Sequence, residues 1–205
     1  MRTNLTYRLV RSFGRFLFRI AFRLTAEGAG HVPEEGGLIV AANHASYLDP
    51  LVLGAVFPRP VRFLMMRSFY EPWYLRWFCA PMGAIPIDTE GGTQLGSIKR
   101  ALRALEGGEV VGIFPEGARS RDGSLQPFER GVAVLAARAG VPVVPAFIDG
   151  AHRAMPRGSA LIRPRKIRVV LGEPLAPETG KDGSAEAGLH LRVERAVAAL
   201  ARKAA

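Results

Sequence analysis

Short apolar runs alternate with segments of helical periodicity along most of this chain. The apolar runs, several of them rich in Val and Ile, occupy residues 38–42, 61–66, 83–88, 110–114, 141–148 and 166–172. The helical segments occupy residues 50–56, 93–106, 128–139 and 186–203. This alternation predicts an α/β fold, a single domain with a mixed, mostly parallel sheet flanked by helices. Pro86 lacks a backbone donor, so the third run is expected at a sheet edge or a bulge.

The overall charge of the chain narrows the choice of partners. The 205 residues carry a net charge of +10, and 48% of them are hydrophobic, which is typical of one globular domain. A basic balance points to nucleic acid, an anionic membrane surface or anionic substrates.

The one cysteine, Cys79, excludes an internal disulfide and is typical of a reducing compartment. No charge-free apolar stretch reaches the ~18–20 residues of a spanning helix, so we expect no membrane crossing.

Residues 1–26 form a basic segment ahead of a domain at residues 27–205. The segment has six arginines and no acidic residue, and five of the arginines recur at helical spacing: Arg8, Arg11, Arg15, Arg19 and Arg23. An anionic lipid surface contributes about 1 kcal/mol per basic side chain near the head groups. We therefore expect an amphipathic interfacial helix with phenylalanines in the acyl boundary and arginines at lipid phosphates. Two alternatives stay open: the apolar face docks on the domain, or the segment is a mitochondrial transit peptide.

A histidine and an aspartate follow the apolar run at 38–42. Asp49-Pro50 predicts the start of a helix, with Asp49 as its N-cap. His44 then lies on the loop that leaves a strand, where α/β folds place their chemistry. On one continuous helix, residues five apart point about 140° away from each other, whereas a loop lets imidazole and carboxylate meet. The pair suits a general base, His44, that Asp49 orients. The alternative is a simple cap beside an ordinary loop histidine.

A second polar cluster follows the apolar run at 110–114. It contains Glu116, Gly117 and Arg119. Glycine permits a close approach of the backbone, and a planar guanidinium suits phosphate. The alternative is a solvated surface turn.

Residues 69–78 carry aromatic side chains, with Arg76 among them and Arg67 just before them. Such a segment suits nucleobase stacking or a bilayer interface. An aromatic helix that faces the core is the commoner outcome of this pattern.

Four sequence blocks together resemble the glycerolipid acyltransferase superfamily, especially its bacterial 1-acylglycerol-3-phosphate acyltransferases. The blocks are Asn43–Asp49, which contains histidine, four residues and aspartate, then Gly83–Asp88, Phe114–Ser120 and Val141–Pro145. They occur in the family's order, and the resemblance covers residues 38–148. A lone His-x4-Asp pattern is weak evidence, whereas four ordered blocks are specific.

The resemblance implies transfer of a fatty acyl group from a thioester, on coenzyme A or acyl carrier protein, to the hydroxyl of a lysophospholipid. It implies 1-acylglycerol-3-phosphate as the acceptor. His44 and Asp49 would be the catalytic pair, and Glu116, Gly117 and Arg119 would bind the acceptor. A peripheral or monotopic place on the cytoplasmic face of the cell membrane also follows. We expect no metal and no redox cofactor, since no His/Cys cluster has metal spacing and no phosphate loop is present.

Three positions depart from the family's pattern. Thr89 stands where arginine usually follows the second block, Ala118 replaces threonine, and Glu129 stands where lysine is common. The resemblance implies that this arginine helps hold the acceptor phosphate, so another lysolipid or an amino-acid lipid stays open as acceptor. A catalytically silent lipid-binding protein of the membrane surface also stays open. A nucleic-acid-binding module finds no zinc spacing, helix-turn-helix signature or RNP-like run, so we expect no nucleic-acid partner.

Overall fold

The computed structural model describes residues 5–87, 95–159, 161–177 and 184–204. The helices are α1 (Leu5–Phe22), α2 (Asp49–Val56), α3 (Arg67–Tyr70), α4 (Trp73–Cys79), α5 (Leu95–Glu106), α6 (Gly131–Ala139), α7 (Ala151–Ala154) and α8 (Ser184–Ala204). The strands are β1 (Thr25–Glu27), β2 (Leu38–Ala42), β3 (Val61–Met66), β4 (Ile85–Ile87), β5 (Val110–Ile113), β6 (Val143–Asp149) and β7 (Arg168–Leu171). Asp88, Thr89 and Thr93, which bear on the second block and on the start of α5, lie outside the described residues.

The seven described strands form one sheet in the order β1-β7-β6-β2-β5-β3-β4. The strands from β6 to β4 run parallel, whereas β7 is antiparallel to β6 and parallel to β1. The predicted α/β fold with a mixed, mostly parallel sheet is therefore confirmed, and β4 with Pro86 lies at an edge as expected. We call the side on which β2, β5 and β6 end the C-terminal edge. Strands β1 and β7 begin at that same edge, because Arg168 pairs with both Asp149 and Thr25.

Strand β2 lies at the centre of the core. All five of its residues are fully buried between β5 and β6. Successive side chains of a strand point to opposite faces, so Leu38 and Val40 pack with α2 on one face, and Ile39 packs with α5, α6 and α8 on the other. Burying one such aliphatic side chain contributes roughly 1.5–3 kcal/mol. The strand is thus a rigid base for the loop that follows it.

Helix α1 is amphipathic, as predicted. One of its sides packs on the domain, and a second apolar face is exposed. Phe18 and Phe22 pack against the core, and the guanidinium of Arg11 donates to the carbonyl oxygens of Phe57 and Pro58. A set of large apolar side chains is exposed to solvent: Leu9, Phe13, Phe16, Leu17 and Ile20. The helix therefore docks on the domain and still leaves an apolar face uncovered.

The predicted extension of the first helix to Ala26 is wrong. The helix ends at Phe22, the backbone of Arg23 adopts a positive φ of 46°, and Thr25–Glu27 pairs with β7 as a strand. The helix therefore stops at Phe22, and the sheet takes up Thr25–Glu27, which contain no basic residue. Among the described residues, no helix combines the length and hydropathy needed to cross a bilayer.

The described aromatic side chains of α4 do not face the core, which corrects the commoner outcome expected for residues 69–78, whereas Phe69 and Tyr70 of α3 are half-buried. Trp73 and Trp77 of α4 are 81% and 78% exposed, and Tyr74 is also exposed. Pro72 has a ψ of 127°, which lies outside the helical range, and it separates α3 from α4. Each piece is too short to bring a continuous aromatic stripe onto the sheet.

Arg59 ties together the two loops that precede β2 and β5. Its guanidinium donates to four backbone carbonyl oxygens: those of Pro33 at 2.9 Å, Glu35 at 3.3 Å, Gly36 at 2.6 Å and Gly108 at 2.7 Å. These loops lie at the sheet edge opposite the C-terminal edge, because Leu38 pairs with Val110 at the start of both strands. Arg59 therefore links β2 and β5 from the far end.

Candidate active site

Two loops meet at the C-terminal edge and bring the predicted site residues together. One loop follows β2 and the other follows β5, and the two strands end side by side because Ala41 pairs with Ile113. The backbone N–H of Ser120 donates to the carbonyl oxygen of His44 at 2.8 Å, and the N–H of His44 donates to Glu116 Oε1 at 3.1 Å. Residues far apart in sequence thus share one site.

His44 and Asp49 form the predicted pair. The imidazole Nδ1 lies 2.8 Å from Asp49 Oδ2, and the same oxygen accepts the backbone N–H groups of Ala45 and Ser46, each at 2.7 Å. Asp49 is fully buried, whereas the His44 side chain is 20% exposed. The ring's other nitrogen, Nε2, makes no hydrogen bond among the described residues. This arrangement leaves one accessible ring nitrogen on an oriented imidazole.

Asp49 is not the N-cap of α2, which corrects that expectation. The cap position is Leu48, without a side-chain cap bond, and Asp49 is the first helical residue. Because its Oδ2 turns back to the His44 imidazole and to the backbone N–H groups of Ala45 and Ser46, it organises the loop instead of the helix end. Its Oδ1 is buried and has no hydrogen-bond partner in the described part of the chain.

Aromatic stacking holds the plane of the imidazole. The ring of Phe114 lies 4.2 Å from that of His44 at an interplanar angle of 20°, and Phe63 stacks behind Phe114 at 5.7 Å. The sequence places Phe114 at a strand end and at the start of the third block, but it does not indicate the contact with His44. The available signal was its position directly after β5, which brings its side chain beside the residue after β2.

Two buried polar residues bind the loop after β2, residues 43–48, to the rest of the sheet edge. We call this loop the histidine loop. The side-chain amide of Asn43 donates to the carbonyl oxygen of Ile148 at 3.1 Å and accepts its N–H at 2.7 Å, so it continues the pairing of β2 with β6. Ser46 Oγ donates to the carbonyl oxygen of Met155 at 2.8 Å. Sequence reasoning missed both roles, although both residues lie within the His-x4-Asp block.

Glu116 carries the largest electrostatic perturbation of the site. Burial raises the pKa of its carboxyl group from 4.5 to about 7, the nearby Asp49 carboxylate adds to the rise, and backbone N–H groups of His44 and Gln126 oppose it. Its Oε2 is buried and unpartnered among the described residues. The carboxyl therefore changes protonation near neutral pH while Oε1 holds the His44 backbone.

Gly117 has a backbone that favours glycine. Its φ is +69°, and a Cβ built there would collide with the Glu129 carboxylate. Glu129, which occupies the family's usual lysine position, is thus beside the predicted acceptor loop.

Arg119 lies on an aromatic platform. Its guanidinium carbon is 3.4 Å from the centroid of the Tyr47 ring, and Tyr47 meets Phe69 edge-on at 5.5 Å. Arg119 Nη1 is buried and has no hydrogen-bond partner in the described ranges, and Arg157 donates to the Arg119 carbonyl oxygen at 2.9 Å. A cation fixed by stacking with an unused donor can receive an anionic oxygen.

The five predicted site residues therefore lie on two adjacent loops. Direct contacts join His44 to Asp49 and to Glu116, whereas Arg119 reaches the histidine loop through Tyr47. Across the ranges that the structure covers, no cluster of three or more His, Cys, Asp or Glu side chains could hold a metal ion.

Comparisons with known proteins agree with this architecture. Residues 23–149 match the family model described as "Acyltransferase". The 1-acyl-sn-glycerol-3-phosphate acyltransferase of Bacillus subtilis is 29% identical over 146 residues, which cover 71% of this chain and 70% of that protein. The human alpha form is 33% identical over 133 residues, 64% of this chain and 46% of that protein. A chloroplastic form of Brassica napus is 29% identical, over 75% of this chain and 45% of that protein. The chain thus spans about half the length of several curated relatives.

One solved structure has a similar fold. The crystal structure of the 1-acyl-sn-glycerophosphate (LPA) acyltransferase PlsC from Thermotoga maritima matches with a TM-score of 0.79 and 24% identity. The match covers 95% of this chain and 79% of that one.

Proposed function

Because the chain belongs to the acyltransferase family, we propose that it transfers a fatty acyl group from an acyl thioester to the hydroxyl of a lysophospholipid. The proposed acceptor is 1-acylglycerol-3-phosphate, which gives phosphatidic acid, and the donor is acyl-coenzyme A or acyl carrier protein. The observation that carries the proposal is the 2.8 Å contact between His44 Nδ1 and Asp49 Oδ2 on a loop adjoining Arg119.

The proposed reaction is a direct transfer with general-base catalysis. His44 Nε2 takes the proton of the acceptor hydroxyl while the oxygen bonds to the thioester carbonyl carbon. When the tetrahedral intermediate collapses, the C–S bond breaks and the leaving thiolate takes the proton from the imidazolium. The products are an ester and a free thiol. Asp49 stabilises the imidazolium through Nδ1, and stacking on Phe114 limits rotation of the ring.

Arg119 is the proposed partner of the acceptor phosphate. Its Nη1 has no partner among the described residues, and Tyr47 holds the guanidinium over its ring. A charge-assisted hydrogen bond from a guanidinium to a phosphate is about twice as strong as a neutral one. Glu116 supports the site by holding the His44 backbone, and Gly117 shapes the same loop.

The apolar face of α1 is the proposed contact with an anionic membrane surface. Phe13 and Ile20 on that face are 64% and 65% exposed, while Phe18 and Phe22 on the opposite side are packed on the domain. The acceptor is an amphiphile that resides in a bilayer, so a peripheral protein reaches it without extracting it. We propose the cytoplasmic face, where anionic lipids attract basic segments.

The test of the proposal is thioester-dependent release of free thiol in the presence of lysophosphatidate, with phosphatidic acid identified as the product. His44→Ala is expected to lower the rate by about 10²–10⁴-fold, because a positioned base contributes that much. His31→Gln, at a surface histidine paired with Glu173, is the matched control and is expected to keep full activity. An active His44→Ala protein would remove His44 from the mechanism.

A donor-by-acceptor panel resolves the finer specificity. Thr89, outside the described residues, motivates acceptors without a terminal phosphate and amino-acid lipids beside lysophosphatidate. Consumption of thioester with any lysolipid supports an enzyme. Lipid binding without turnover across the whole panel would instead favour a catalytically silent lipid-binding protein.

A further inference from the structure

Residues 161–166 form an exposed segment in which two apolar side chains are followed by three basic ones. Leu161 and Ile162 are 63% and 51% exposed, and they are followed by three exposed cations: Arg163, Arg165 and Lys166. No side chain of these three cations makes a hydrogen bond or ion pair with the described residues. The surrounding chain adds to the asymmetry, because the stretch between Asp149 and Glu173 has six basic residues and no acidic one.

This segment lies at the C-terminal edge with the candidate active site. It leads into β7, which begins at that edge because Arg168 pairs with Asp149. On its N-terminal side, Met155 accepts a hydrogen bond from Ser46 Oγ, and the N–H of Arg163 donates to the Ala154 carbonyl oxygen at 2.8 Å. The N-terminal end of the segment therefore lies next to the histidine loop.

The C-terminal end of the segment contacts the end of α1. The backbone N–H of Ile167 donates to the carbonyl oxygen of Phe22 at 3.0 Å, and the N–H of Thr25 donates to the Ile167 carbonyl oxygen at 3.1 Å. Helix α1 is the proposed membrane contact, so the exposed segment adjoins that contact directly.

We propose that residues 161–166 are a second membrane contact, in which Leu161 and Ile162 insert among the head groups of an anionic bilayer and the three cations bind lipid phosphates. The inference rests on the proposed function insofar as the bilayer supplies the acceptor. A second contact beside α1 fixes the orientation of the protein on the surface, whereas a helix alone still permits rotation about its own axis. The candidate site then opens toward the leaflet that holds the lysolipid.

The chemistry of the segment favours a bilayer over other occupants. An apolar tip followed by cations matches the boundary between acyl chains and phosphates. Nucleic-acid surfaces present aromatic side chains for stacking, and Leu161 and Ile162 supply none. A protein partner would not require the segment to adjoin α1.

The experiment places an environment-sensitive fluorophore on single cysteines in the whole chain. Cys79→Ala removes the native thiol, and three variants then carry the label: Leu161→Cys on the segment, Ile20→Cys on α1, and Leu191→Cys on the exposed face of α8 as control. The probe membrane is an equal mixture of phosphatidylcholine and phosphatidylglycerol. We expect a blue-shifted, several-fold brighter emission at 161 and 20 and none at 191, with quenching by brominated lipid at the first two sites.

The outcomes separate the two membrane contacts from each other. A response at 20 without one at 161 overturns this inference and leaves α1 as the contact. A response at 161 without one at 20 supports the segment and overturns the role proposed for α1. A change at 161 that follows protein concentration without vesicles overturns the inference in favour of a second copy of the chain. Since emission does not depend on turnover, an inactive protein still gives a clear answer.

A charge variant tests the basic part of the segment. The triple variant R163Q/R165Q/K166Q is expected to weaken binding to the anionic vesicles on the order of a hundredfold, given about 1 kcal/mol per cation near the surface. The matched triple variant K99Q/R103Q/R138Q removes three exposed cations from α5 and α6. Equal weakening by both triple variants would show that only net charge matters and would overturn the assignment.

Discussion

The two loops that meet at His44 are built in opposite ways. In the histidine loop, a single Asp49 oxygen accepts hydrogen bonds from three groups of residues 44–46. The side chain of Asn43 forms two hydrogen bonds with the backbone of Ile148. In the loop after β5, Glu116 and Arg119 each retain a buried polar atom without a partner among the described residues. Asp49 Oδ1 is also buried without a partner among the described residues, so the difference lies in Asp49 Oδ2 and Asn43, whose bonds are complete within the protein, whereas the second loop has its unpartnered atoms on Glu116 and Arg119.

This difference separates two tasks of a transfer site. A base must keep its orientation before substrate arrives, and the histidine loop provides that orientation from residues that are close in sequence. Groups that bind an acceptor gain most when their hydrogen bonds are completed by the ligand itself. We therefore expect substitutions in the histidine loop to change turnover, and substitutions in the Glu116–Arg119 loop to change acceptor affinity.

The largest expected effect comes from Asp49→Asn, which attacks the hydrogen bonds of the histidine loop at their centre. A neutral amide does not stabilise an imidazolium, so turnover should fall by about 10²–10⁴-fold at saturating substrates. The free energy of unfolding should fall by roughly 1–3 kcal/mol, because charge-assisted bonds to buried amides weaken. Turnover and urea unfolding measure the two effects. A variant within tenfold of the parent turnover would break the contrast between the loops.

Arg119→Gln tests the loop after β5. The KM for lysophosphatidate should rise about tenfold to a hundredfold, since a hydrogen bond to a charged group contributes roughly 1.5–3 kcal/mol. Turnover should change less, and the KM for an acceptor without phosphate should not change. Arg121→Gln, two residues along and exposed, is the control. An equal loss with both acceptors would contradict phosphate recognition by Arg119.

Glu116→Gln sharpens the comparison through the pH dependence of stability. Because burial raises the Glu116 pKa to about 7, the folded protein holds a proton that the unfolded chain releases above about 4.5. That stabilisation is present at low pH and is lost as the pH rises through 7. Glutamine does not titrate, so the variant should exceed the parent in stability at pH 8 by about 1–2 kcal/mol after allowance for partial exposure.

Urea unfolding of both proteins at a series of pH values measures this difference. The gap between Glu116→Gln and the parent protein should open as the pH rises toward 7. A gap that stays constant from acid to alkaline conditions would contradict the raised pKa.

The smallest expected effect is at Tyr47, where the two loops touch through a ring. Tyr47→Leu removes the surface under the Arg119 guanidinium and should raise the KM for lysophosphatidate about fivefold, in line with a cation–π contact of about 1 kcal/mol. Tyr47→Phe keeps the ring and should restore the parent KM. If phenylalanine and leucine behaved alike, the platform would have no part in acceptor binding.

Local features of this site could be predicted from the sequence. His44 and Asp49 lie five residues apart on one loop, so their contact follows from the end of β2 and the start of α2. The alternation of apolar runs and helical segments also predicted the mixed sheet, and Pro86 predicted its edge.

Long-range features could not be predicted in the same way. The bond from Asn43 to Ile148 and the stack of Phe114 on His44 join different strands, and only the sheet order brings them together. The run at 166–172 predicted β7 but not its antiparallel direction, and the short β1 was absent from the prediction because three residues carry too little periodicity. The aromatic segment was misjudged since Pro72 divides it, and the N-cap role expected for Asp49 was wrong because its carboxylate turns toward its own loop.

Arg59 influences the geometry of the candidate site from the opposite end of the sheet. Its four carbonyl contacts fix how β2 and β5 line up lengthwise. A slip of one residue between neighbouring strands displaces their ends by about 3.3 Å and turns alternate side chains to the other face. The spacing between imidazole and acceptor loop is thus set partly by a guanidinium at the opposite end of both strands, where a change would disturb catalysis without touching any substrate.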